Sequence, residues 1–140
     1  MRRERGSAPL WFLGLSVCIL MVGAMSAELW RAMGERHELV AMADAAAIAG
    51  AAVVDLVHYR ATGQVRIDEE QAVSRALAVI DGHSGGQDLS SVPLIEIAAD
   101  GSSVRIELTR EVSFGLLRIL SMEDDRFIVT GRAVAYPHSP

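Results

Sequence analysis

Ala8–Ala27 reads APLWFLGLSVCILMVGAMSA, twenty consecutive residues without a charged side chain. About 20 apolar residues rising about 1.5 Å each cross a hydrocarbon core of about 30 Å. Inside lipid every backbone N–H and C=O needs a partner, and a helix supplies them within the segment. The stretch therefore predicts a membrane-spanning helix. Pro9 stands at its entrance, where a missing N–H costs little.

Charge is divided unevenly around this stretch. Residues 1–7 hold Arg2, Arg3 and Arg5 against Glu4, a net +2. Residues 28–140 hold ten Arg and seventeen Asp or Glu, a net −7, and the chain has no Lys. Positive residues near a span stay on the cytoplasmic side. The expected topology is a cytoplasmic tail (1–7), a span (8–27) and an extracytoplasmic domain (28–140). Arg31 and Arg36, just past the outer end, oppose that bias. An acidic outer domain lacks the basic face that nucleic acid demands. Cys18, the sole cysteine, falls within the span and has no intramolecular disulfide partner. Ala24-Met25-Ser26 also fits the small-x-small cleavage site of a secretory signal. The competing expectation is thus a secreted small binding domain.

Helical character continues past Ala27. No Pro occurs between Glu28 and Tyr59, and Leu29, Met33, Leu39, Met42, Ile48, Val53 and Leu56 supply spaced apolar positions. One helix over 9–59 would be about 75 Å long. Within it, Ala41–Ala52 (AMADAAAIAGAA) contains eight Ala and one Gly. Small side chains admit a close neighbour. That neighbour is either the domain's own sheet or a helix of another subunit, which makes Ala43, Asp44, Ala47, Gly50 and Ala51 candidate packing and assembly residues. Asp44 interrupts the tract and is expected to face solvent or accept a local hydrogen bond.

Thr62-Gly63 signals a break. Asp68 with Gln71 three residues on has a capping-box arrangement, predicting a helix over 69–81 with Ala72, Val73, Ala76, Leu77 and Ile80 as its stripe. Gly82 is a natural stop. The period then changes. Ile95 and Ile97 flank Glu96, Asp100-Gly101 is a hairpin turn signal, and Val104, Ile106 and Leu108 alternate with polar residues over 104–109. Residues 113–121 (SFGLLRILS) read as a short helix or turn, and 127–136 as a last strand with Phe127, Val129, Ala133 and Ala135 on one face. The expected fold is α+β and pilin-like: a long N-terminal helix entering a small domain with a second helix and a three-stranded antiparallel sheet. Phe114, Leu116, Leu117, Ile119 and Leu120 exceed what one core face needs and form a candidate partner or membrane patch.

Several fragments imitate active sites. Gly82-His83-Ser84-Gly85-Gly86 matches G-x-S-x-G, but a nucleophile elbow requires a preceding strand and a large parallel sheet. His37-Glu38 begins HExxH, yet Ala41 takes the second histidine's place. Asp100-Gly101-Ser102-Ser103 is similar to an adhesion-type DxSxS loop with its second serine displaced. His58, His83 and His138 lack ligand spacing. These patterns predict no enzyme, no cofactor, no metal and no small-molecule substrate.

Arg5-Gly6-Ser7 before the span, Glu28-Leu29-Trp30-Arg31 with Arg36 after it, and Ala43-Asp44-Ala45-Ala46-Ala47-Ile48-Ala49-Gly50-Ala51 resemble the TadE/TadG-like proteins of bacterial tight-adherence (Flp) pilus assembly. The likeness covers residues 4–54. It implies a single-pass accessory or minor-pilin role in the inner membrane, with other pilin-like subunits as partners. Prepilin-peptidase processing in that family would fall at Gly6 and Ser7. The Glu expected at the fifth residue after the Gly is Trp11 here, a departure that resembles the anchor-retaining TadG-like members.

Overall fold

The computed structural model describes residues 7–113, 115 and 126–138. Helix α1 spans Ser7–Ala51, about 67 Å at 1.5 Å per residue. It is long and apolar enough to cross a membrane, and none of its most apolar window is buried in the protein. Large apolar side chains from Leu10 to Met25 are exposed. From Leu39 onward the same helix is the spine of the domain.

The long helix ends eight residues short of the expected Tyr59. Asp55 is the cause. Its backbone N–H donates to the Arg66 carbonyl at 2.8 Å, and its Oδ1 accepts from the N–H groups of Val57 and His58 at 3.0 and 2.9 Å. That capping starts a separate helix α2, Leu56–Thr62, which stops at Gly63. Val54 forms an isolated antiparallel bridge with Ile67, and the Asp68 N–H donates to the Val53 carbonyl at 3.1 Å. β-branched Val53 and Val54 thereby act as a pairing segment rather than as helix.

Helix α3 (Glu69–Gly82) begins as its sequence predicts. Asp68 Oδ1 accepts from the Gln71 N–H at 3.1 Å. The reciprocal contact takes another form, because Gln71 Nε2 donates to Asp68 Oδ2 at 2.8 Å. Ala72, Ala76 and Ile80 are its buried stripe, while Val73 is half-buried and Leu77 exposed. A 3-10 turn follows at Gly86–Asp88.

Strands β1 (Leu94–Ile97), β2 (Val104–Ser113) and β3 (Arg126–Ala135) form one antiparallel sheet in the order β1-β2-β3. Leu94 faces Glu107 and Ile97 faces Val104 across the first pair. Val104 faces Ala135 and Ser113 faces Arg126 across the second. The β1–β2 turn is closed by Asp100, whose Oδ1 accepts from the Ser102 N–H at 3.0 Å, and by Gly101 at φ 70°.

Sheet and α3 both pack on the outer part of α1. Leu39, Met42, Ala43, Ala46, Ala47 and Ala51 of α1 meet Ala72, Ala76 and Ile80 of α3 and Val104, Ile106, Leu108 and Ala133 of the sheet in one core. Of the helical positions expected to be apolar anchors, Leu39 and Met42 are buried, whereas Leu29, Met33, Ile48 and Leu56 are exposed. Gly131 sets how closely the sheet lies. A Cβ there would stand 2.7 Å from the Leu39 carbonyl carbon and 2.9 Å from its Cβ. A bare backbone at 131 lets β3 cross α1 in contact.

The α+β expectation is met: a long N-terminal apolar helix, further helices and a three-stranded antiparallel sheet. Besides the end of α1, a strand boundary is corrected. The second strand extends to Ser113 rather than ending at Thr109, so the segment read as starting a short helix at Ser113 begins as strand. Phe114 and 116–125, with the patch residues Leu116, Leu117, Ile119 and Leu120, lie outside the described residues, as does Gly6.

Candidate functional site

The alanine tract is where spine and domain meet. Ala43, Ala46 and Ala47 are wholly inaccessible, and Ala51 nearly so. Gly50 is buried with the Ala72 carbonyl on one side and the Val104 methyl groups on the other. The small side chains bring α3 and β2 close to α1 and fill the core of their own domain. Asp44 lies at the edge of that buried face, exposed beside Ala45 and near exposed Ile48. Within this chain, then, the outer half of α1 has one occupied face and one open face. Ser7 opens α1. On the inner half, Leu10, Trp11, Gly14, Leu15 and Cys18 line a shallow apolar groove along the helix surface.

A polar cleft of about 450 Å³ lies between α1, the loop after α3 and the end of β2. Arg110 closes its floor. In β2 the inward positions are Val104, Ile106, Leu108, Arg110 and Val112, all buried. A charged residue thus occupies a core-facing register. Its Nη1 lies 2.6 Å from Glu35 Oε2 and 3.7 Å from Glu38 Oε2, both on α1. Its Nη2 donates to the Gly85 carbonyl at 2.7 Å. The Arg110 side chain is only 8% exposed, and its Nε has no hydrogen-bond partner. Glu35 and Glu38 stand one turn apart, so both carboxylates point the same way from the helix.

Gly85 is there for space. A Cβ at that position would collide with the Arg110 guanidinium and the Glu38 carboxylate. The G-x-S-x-G match is therefore a loop that holds the Arg110 guanidinium. It follows helix α3, and among the described residues no strand precedes it. His37-Glu38 lies on α1, where Glu38 contributes to this ion pair. The DxSxS-like loop is the Asp100 turn described above. Hydrogen bonds from the Ser102 side chain and backbone hold the Asp100 carboxyl below its ordinary value. Among the described residues no group of three or more His, Cys, Asp or Glu is arranged to hold a metal ion.

Chemically, the cleft is a clamp. One guanidinium ties α1, β2 and the α3–β1 loop together at the end of the domain nearest the apolar half of α1. The sequence signal for it was the phase of β2: Arg110 falls six residues after Val104, on the same alternating face. By contrast the outer sheet face carries Glu107–Arg132 at 2.9 Å, Glu96–Arg105 at 3.6 Å and Glu111–Arg126 at 3.8 Å. These pairs are exposed and add little stability each, but they satisfy the solvated side of a three-stranded sheet.

No curated protein and no solved structure matches the chain. Residues 6–53 match the Tad family model, described as "Putative Flp pilus-assembly TadE/G-like". The matched stretch is nearly coextensive with α1, so the apolar half, the carboxylates of the clamp and the alanine tract all lie inside it. Over residues 6–53, then, the chain is similar to the TadE/G-like proteins of Flp pilus assembly.

Proposed function

We propose that the protein is a single-pass membrane component of a tight-adherence (Flp) pilus or a related secretion assembly, with a minor-pilin or pseudopilin-like role. The observation that carries this reading is the coincidence of the TadE/G-like match with one helix of two characters. Its inner half exposes a run of large apolar side chains, and its outer half is the spine of a small α+β domain. In this reading residues 1–7 are cytoplasmic, 8–27 cross the inner membrane and 28–140 lie outside. Sister subunits pack along the span and along the open face of the spine around Asp44. The role is structural, and catalysis forms no part of it.

The mass of the mature N-terminus tests the anchor. Purified from membranes, an intact Met1 supports a retained anchor, and a start at Ser7 supports prepilin-peptidase processing. A start near Ala27 on a protein in the aqueous fraction would overturn the reading in favour of a secreted binding domain. Co-purification of the tagged, detergent-solubilised chain with pilus subunits tests the assembly role, and recovery of the chain alone from cells building pili argues against it.

A further inference from the structure

The chain has two tryptophans, Trp11 and Trp30, and both lie on α1. Both are among the most exposed large apolar residues, at 79% and 81%. They are nineteen positions apart, about 28 Å along a helix axis, close to the thickness of about 30 Å of a bilayer's hydrocarbon core. Tryptophan concentrates at the two membrane–water interfaces, where its ring is apolar and its N–H stays wet. Exposed large apolar side chains on α1 begin at Leu10 and, after Leu29, Trp30 and Met33, recur only at Ile48. The apolar surface therefore runs a turn and a half beyond Ala27, past the last uncharged residue of the span.

Glu28 falls inside this bracket. At 100° per residue it points about 200° away from Trp30, and it is half-buried on the side of the helix that the domain covers. There a Cβ on Gly115 would stand 3.5 Å from its Oε1. That contact sets Gly115, two residues past the end of β2, beside Glu28, and Ser113 lines the same cleft as Arg31, next to Trp30. β3 runs from Arg126 toward Ala135, away from that end, crossing α1 at Leu39 with Gly131.

From this geometry we infer that the bilayer is registered between Trp11 and Trp30 rather than over 8–27, and that the domain rests directly on the outer lipid surface. The ligand is the bilayer interface. Trp30 and Met33 insert at headgroup depth on the face of α1 away from the domain, and the Ser113–Arg126 end of the sheet stands over the headgroups. The Arg110 clamp lies just above them, since Glu35 is about 7 Å beyond Trp30. The inference rests on the reading of α1 as a span.

Single-tryptophan variants test it. Trp11→Phe and Trp30→Phe full-length chains are reconstituted in phosphatidylcholine–phosphatidylglycerol vesicles and quenched by lipids brominated at shallow or deep acyl positions, and by aqueous iodide. The expected result is that each tryptophan loses more emission to the shallow lipid than to the deep one, and little to iodide. If Trp30 is open to iodide and untouched by lipid while Trp11 is lipid-quenched, the registration is overturned and the span stands. If neither tryptophan is quenched by lipid, the span itself fails and the registration with it. Stronger quenching of Trp30 by the deep lipid also overturns the register.

Discussion

Arg110 and Glu35, seventy-five positions apart, meet at 2.6 Å between Nη1 and Oε2, and the pair couples the sheet to the helix at the edge of the core. Truncating one partner of a largely buried pair leaves the other charge poorly solvated, at a cost of about 3–5 kcal/mol. Glu35 retains some exposure, which puts Arg110→Ala near 3 kcal/mol, at the lower end of that range. Replacing both residues with apolar ones of similar size is often neutral. An Arg110→Met, Glu35→Leu double variant is therefore expected to recover most of the loss. Urea unfolding of the detergent-solubilised chain, followed by circular dichroism, measures both. Equal destabilisation in the single and double variants would show that the clamp contributes through packing alone.

Gly131 is the second point at which sheet and helix are locked. A side chain there meets Leu39 backbone atoms at under 3 Å, and backbone cannot swing aside as a flexible side chain can. Overpacking of this kind costs about 1–3 kcal/mol. Gly131→Val is expected at the upper end and Gly131→Ala lower, with thermal midpoints falling in that order. A midpoint unchanged in Gly131→Val would mean that the strand lies farther from α1 than described.

Residues 104–113 show why part of the fold was legible and part was not. Alternation of Val104, Ile106 and Leu108 marks a half-buried strand, and the helical stripe with Asp68 and Gln71 marks α3. The reading stopped at Thr109 because Arg110 is charged, although it occupies the next inward position. Hydropathy records what a residue prefers in isolation, and the partners that make Arg110 tolerable lie on α1, far away in sequence. The same limit applies at Asp55. Nothing local distinguishes a polar residue on a helix surface from one that caps a new helix, and the bridge of Val54 to Ile67 supplies the difference. The alanine tract was legible as a close-packing surface. Which neighbour fills it within the chain required the positions of α3 and β2.

Asp100 gives a pH signature. Hydrogen bonds from the Ser102 side chain and then its backbone N–H lower the Asp100 pKa. A carboxyl depressed in the folded state contributes stability that is fully present above its unfolded value, near 3.9, and is lost as pH falls through the folded one. Asp100→Asn is therefore expected to be less stable than the parent chain at neutral pH, and the difference should shrink as pH drops below about 4. The group is exposed, so the effect is small. Parallel thermal melts of the two proteins across that range read it. A difference that grows on acidification would contradict the assignment.

Asp44 and Ala47 separate assembly from folding on one helix. Ala47 is wholly buried against the domain's own core, and Ala47→Leu should destabilise the domain by about 1–3 kcal/mol through overpacking. Asp44, one turn earlier at the rim of that buried face, is exposed, and Asp44→Leu should change stability by no more than about 0.5 kcal/mol. If subunits pack along that open face, Asp44→Leu nevertheless loses co-purification with pilus partners, because the substitution replaces a solvated carboxylate with a bulky branched group at the contact. Loss of partners in Ala47→Leu alone, in proportion to its loss of fold, would place assembly elsewhere, on the span or the sheet. Normal pili in an Asp44→Leu strain would remove this face of α1 from the interface.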